Sequence, residues 1–68
     1  MILHVKKFKG KFKGSRLVDR WYTFSVFSKE WKTGVSSYNR SEIEIQTYIK
    51  EKISEFLGYP NDLTINFE

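Results

Sequence analysis

Between Ser41 and Gly58 runs the one stretch of this chain whose apolar residues recur at helical spacing, and side-chain chemistry marks both of its ends. Ser41-Glu42-Ile43-Glu44 matches a capping box, in which the serine hydroxyl takes a backbone N–H and the glutamate three residues on reaches back. Glu42 and Glu44 also sit at the positive end of the helix dipole. Ile45, Tyr48, Ile49, Ile53, Phe56 and Leu57 form one apolar stripe. Gly58 is placed for a left-handed cap, and Pro60 prevents continuation. With a single helix over 41–57, a fold of this length has to be completed by strands.

Strand signals fill the rest. Met1-Ile2-Leu3-His4-Val5 is a short apolar run, and Leu63, Ile65 and Phe67 alternate with polar residues over 62–68. Leu17 to Ser28 is rich in β-branched and aromatic residues and reads as a long strand, with residues 28–30 as a turn and Trp31 to Tyr38 as a third strand. Gly10 and Gly14 place a bulge or hairpin turn within 10–15, and Gly34 weakens the third strand or marks a bulge. The tetrads at Phe8 and Phe12 are similar, but two copies do not make a repeat protein. The expected fold is therefore α+β with the order β-β-β-α-β: a small two-layer domain, one antiparallel or mixed sheet with an amphipathic helix on one face. It forms a single domain over 1–68, with a basic β-rich part (1–40), the helix (41–57) and a terminal strand (62–68). Nothing remains to cover the other sheet face.

Charge is divided unevenly along this order. Residues 1–40 hold ten of the twelve basic side chains and only two acids, Asp19 and Glu30, for a net charge of +8. Residues 41–68 hold two lysines against six acids, for a net of −4. Six cations (Lys6, Lys7, Lys9, Lys11, Lys13 and Arg16) fall within eleven residues. So dense a ribbon repels itself unless met by counter-charge. It therefore points to a polyanion: phosphates would be neutralised, with counterion release and steep salt dependence. Arg20, Lys29, Lys32 and Arg40 would extend the surface. The alternative is a lysine-rich edge that only discourages sheet-to-sheet association.

In extended geometry Lys6, Phe8 and Phe12 share one face, and Lys7, Lys9, Lys11 and Lys13 the other. Alternation likewise separates Tyr22, Phe24 and Val26, expected in the core, from Trp21, Thr23, Ser25 and Phe27. In the third strand Trp31, Thr33 and Val35 oppose Lys32. Trp21 and Trp31 are candidates for stacking on unpaired bases or for anchoring a protein partner.

Catalytic chemistry finds little to work with. His4 is the only histidine and there is no cysteine, so no nucleophile–base set, thiolate metal site or disulfide can be assembled. Glu51 and Glu55 share a helix face at i, i+4, but two ligands do not make a metal site. Neither Gly10 nor Gly14 has the spacing of a phosphate loop. The expectation is a protein that is not an enzyme and has no cofactor or metal. With 40% apolar and 29% charged residues, no apolar run near the ~20 residues needed to span a bilayer and no signal peptide, the chain reads as soluble and cytoplasmic. Alanine is absent, while Lys, Ile, Phe, Tyr and Asn supply twenty-eight of the sixty-eight residues. That bias fits a low-GC coding sequence of the kind frequent in phages and mobile elements.

The strand-strand-strand-helix order with basic strands resembles the small arm-type DNA-binding domains at the start of phage and transposon integrases, over residues 16–57. The resemblance implies a three-stranded sheet lying in the major groove, and the strand after Pro60 departs from it. The leading expectation is a nucleic-acid-binding protein, DNA rather than RNA, making mostly backbone contacts. The alternative is a phage-type interaction module or inhibitor docking on an acidic surface of a larger host enzyme or complex. A homodimer, formed through the last strand or the open face, is compatible with either.

Overall fold

The computed structural model describes residues 1–8 and 18–68. Five elements follow in the expected order: β1 (Ile2–Lys7), β2 (Arg20–Val26), β3 (Lys29–Val35), α1 (Glu42–Phe56) and β4 (Thr64–Phe67). They form a four-stranded mixed sheet in the order β3-β2-β1-β4 with one helix packed on it. The meander β1-β2-β3 is antiparallel, and β4 returns beside β1 in parallel, pairing Leu3 with Ile65 and Val5 with Phe67. The turn expected within 10–15 lies outside the described residues.

The helix begins as its capping chemistry dictates. Ser41 Oγ accepts the Glu44 N–H at 3.2 Å, and the Glu44 carboxylate accepts the Ser41 N–H in return. At the other end Gly58 takes φ 77°, Tyr59 N–H reaches the Ser54 carbonyl at 2.8 Å, and the Ile53 and Glu55 carbonyls accept from Leu57 and Gly58. Ile45, Ile49 and Ile53 are each at most 1% exposed, stacked at i, i+4 and i+8. They pack on Leu3, Val5, Tyr22, Phe24 and Val35, so alternation in the strands and periodicity in the helix meet in one core. Each buried isoleucine is worth roughly 1.5–3 kcal/mol of burial free energy.

Several boundaries differ from expectation. The second strand starts at Arg20, opposite Val35, and just before it the Asp19 carboxylate accepts the Ser37 N–H at 2.7 Å and the Ser37 hydroxyl, tying the strand's entry to the exit of β3. These bonds hold the Asp19 carboxyl below its ordinary 3.8, the Ser37 hydroxyl contributing most. The β2–β3 turn is the residue pair Phe27-Ser28, with φ of 54° and 61°, not 28–30. Positive φ at both central positions is the hairpin geometry that matches strand twist, here adopted without the usual Asn-Gly pair. Phe27 consequently leaves the alternation of β2 and stands 74% exposed at the hairpin tip. Gly34 marks no bulge, since register runs unbroken from Arg20 opposite Val35 to Val26 opposite Lys29. Residues 16–57, the span of the integrase resemblance, contain two described strands and the helix, with the third antiparallel strand supplied by β1 from outside it.

Candidate functional site

The face of the sheet turned away from α1 carries side chains selected by strand parity and aligned by register. Three rows cross the strands. Phe8 N–H donates to the Trp21 carbonyl at 2.8 Å, and Trp21 lies opposite Gly34, which makes the first row. Lys6 faces Thr23, and Thr23 faces Lys32, which makes the second. In the third, Ser25 faces Glu30, and one register step places His4 beside Ser25. Adjacent rows are separated by two residues of strand, about 6.7 Å.

Trp21 holds its place by covering a glycine. A Cβ on Gly34 would stand 3.0 Å from Cε3 and Cζ3 of the indole and 2.5 Å from Val18 Cγ1. The six-membered ring therefore lies over the Gly34 backbone and remains half-buried on the sheet surface. Lys32 Nζ sits 5.5 Å from the centroid of the Phe8 ring, a cation–π distance. Rings and ammonium groups are thus interleaved on one surface.

Anions border this strip. Lys6 Nζ is 3.8 Å from Glu68 Oε2, with the lysine side chain 70% exposed, and His4 Nδ1 is 3.0 Å from Glu68 Oε1. Glu30 is exposed on the same face. His4, Lys6, Thr23, Ser25, Glu30 and Glu68 line an open polar hollow of about 380 Å³. Among the described residues no group of three or more His, Asp or Glu is arranged to hold a metal ion, and no helix is long and apolar enough to cross a membrane.

The remaining candidates scatter. Arg20 falls on the helix side, where its guanidinium donates to Glu42, and that bond is the main reason its pKa is raised. It is committed to a helix glutamate and is removed from the proposed cationic surface. Arg40 donates to the Ser36 carbonyl at 2.7 Å and lies 5.3 Å over the Tyr48 ring, at the helix N-terminus. Lys7 is exposed on the parity opposite to Lys6, and Lys29 begins β3 beside the hairpin tip, at the far end of the sheet. Trp31 also faces the helix: its ring packs 4.8 Å from that of Phe56, and its indole N–H donates to the Val26 carbonyl at 3.2 Å. So engaged, it packs on the helix side of the sheet, away from the open face. Lys9, Lys11, Lys13 and Arg16 lie outside the described residues.

The charge divides accordingly. Residues 9–17 hold four cations and no acid, while the other fifty-nine residues hold eight cations and eight acids. The entire formal surplus of +4 therefore belongs to residues 9–17, within the β1–β2 connection, which joins the sheet at the end where Lys7, Phe8 and Trp21 lie. Sequence reasoning missed Phe8, Glu30 and Glu68 as parts of this face. The shared parity of Lys6 and Phe8 was visible, but the neighbours contributed by β3 and β4 depend on register. Compared with protein families, curated proteins and solved structures, the chain matches none.

Proposed function

We propose that the protein is a small, non-enzymatic nucleic-acid-binding module that uses the open sheet face and the adjoining β1–β2 connection. The observation that carries this reading is the placing of Lys6 and Lys32 in one row beside Trp21 and Phe8, at the sheet end from which residues 9–17, with four cations and no acid in their sequence, continue the chain. Ammonium groups serve phosphates, and a ring lying on the sheet serves a base face. Lys9, Lys11, Lys13 and Arg16 add attraction that does not depend on sequence. Arg20, Arg40, Lys29 and Trp31 have no part in it.

The test is binding of a labelled DNA oligonucleotide followed by anisotropy across salt. Four or five phosphate contacts give a slope of log K against log salt of about −3 to −4. An affinity that stays flat between about 50 and 200 mM salt contradicts the reading.

A second reading, docking on an acidic protein surface, has an observation of its own. At the opposite end of the sheet, Met1, Ile2, Val26, Phe27, Leu57 and Pro60 line an apolar groove of about 440 Å³, beside which Phe27 and Ile2 are 74% and 66% exposed. Apolar side chains gathered in this way mark interaction surfaces. A stoichiometric partner that survives nuclease and moderate salt, and is lost on Phe27→Ser, favours this second reading.

A further inference from the structure

The β2–β3 hairpin tip stands at the end of the sheet remote from Phe8, about 20 Å along β2 from Trp21. Continuing the β1–β2 register from Val5 opposite Phe24 sets Ile2 beside Phe27. The groove lined by Met1, Ile2, Val26, Phe27, Leu57 and Pro60 lies here, and among the described residues no charged side chain lines it. Met1, 52% exposed, joins Ile2 and Phe27 at its mouth. At about 200 Å² for a large side chain, these three and their half-buried neighbours offer about 500 Å² of apolar surface. A standard interface of about 800 Å² per partner is about 60% non-polar, so the patch holds the apolar content of one such interface. Phe27 is also held at positive φ, a conformation unfavourable for a residue with a Cβ, while standing largely in solvent. Backbone strain that packing within the chain does not offset is a feature of contact sites.

We propose, beyond the nucleic-acid reading and independently of it, that two copies of this chain associate as a two-fold dimer through this end, Phe27 of each seated in the groove of the other. A two-fold contact uses one patch twice, so the patch has to carry a projection and a recess side by side. Phe27 is the projection. The groove between the hairpin end and the helix end, with Leu57 and Pro60 in its wall, is the recess.

Charges at the rim suit this seating. Lys29 pairs with Val26 and shares its helix-side parity, whereas Glu30 takes the open side of the sheet. The helix end is the negative pole of the dipole, with Glu55 and no basic residue in its last turn, and Asp62 stands near it beside Met1. Seating Phe27 in a second copy therefore carries Lys29 toward carboxylates. An acidic surface placed here would meet the same carboxylates, so the rim fits a second copy better.

The test is analytical ultracentrifugation of the full chain over about 1 μM to 1 mM. The mass is expected to rise from 8.2 kDa to twice that value across the range. Ile2→Lys sets a charge in the patch, and F27N/S28G removes the ring while giving the turn residues suited to its backbone. Both should keep the single-chain mass throughout. Lys29→Glu should weaken association about fivefold, the effect of a rim charge. Circular dichroism shows whether each variant is folded. If F27N/S28G does not fold, Ile2→Lys carries the test, since Ile2 is exposed in the single chain. A wild-type chain that keeps its single-chain mass at the highest concentration overturns the proposal and leaves the groove to a partner of another kind. A dimer that either patch variant leaves intact while folded also overturns it, placing the contact at the β4 edge or the open face. Unchanged or tighter association in Lys29→Glu contradicts the seating as well. A chain that dimerises as expected yet binds no DNA at low salt refutes the nucleic-acid reading alone.

Discussion

Trp21 and Gly34 lie opposite each other in β2 and β3, and a Val18 methyl together with the indole occupies the space that any larger residue at position 34 would need. The open face is arranged around this pairing. A flat ring can lie on the sheet because one strand gives up its side chain.

Gly34→Ala puts a Cβ within 2.5 Å of Val18 Cγ1 and 3.0 Å of the ring. Such overpacking costs about 1–3 kcal/mol. Thermal denaturation should show the loss, and affinity for DNA should fall with it as Val18 and the indole shift. A variant as stable as wild type and equally tight in binding would place Trp21 elsewhere.

Ile49 is fully buried at the centre of the helix stripe. Ile49→Ala should cost about 2–5 kcal/mol, a large part of the ~5 kcal/mol at the low end for a native domain. Urea unfolding is expected to show a much lowered midpoint. Ile43→Ala, on the 77% exposed face of the same helix, should change stability by less than about 0.5 kcal/mol.

The hairpin tip holds two non-glycine residues at positive φ. Replacing Phe27-Ser28 with Asn-Gly supplies residues suited to that geometry and should stabilise the domain by about 1–2 kcal/mol. A lower melting temperature would mean that the exposed ring of Phe27 contributes packing that outweighs its backbone strain.

Asp19 couples β2 to the segment after β3, and its pKa is lowered by the hydrogen bonds from Ser37. A carboxyl depressed on folding stabilises the native state above its unfolded pKa, and that contribution is lost as pH falls through the folded value. Stability should therefore decline as pH drops below about 4, and Asp19→Asn should flatten that decline. An unchanged acid limb in the variant would show that Ser37 does not hold the carboxylate in solution.

Much of this architecture is legible in the chain because its signals are local. Ser41, Glu44 and Gly58 fix the helix by chemistry within a few residues of each end, and strand parity separates Tyr22 and Phe24 from Trp21 and Thr23. Boundaries that depend on a distant partner are not legible. Nothing near Asp19 announces that it will bind Ser37, and Phe27-Ser28 lacks the composition of the turn it makes. The site divides in the same way. That Lys6 and Phe8 share a face follows from period two, whereas Lys32 over Phe8, Glu68 beside Lys6 and Glu42 on Arg20 arise from pairing between segments far apart in sequence. Trp31 reads like Trp21 by composition and differs only in which face register gives it.

The most direct measurement is amide chemical-shift mapping by NMR during titration with a short DNA strand. Shifts should concentrate at Lys6, Phe8, Trp21, Thr23 and Lys32 and in residues 9–17, leaving Ile43 to Glu51 of the helix and the Phe27 tip unmoved. Perturbations centred on the helix or the hairpin tip, or no perturbation at low salt, would contradict a nucleic-acid interface on the open sheet face.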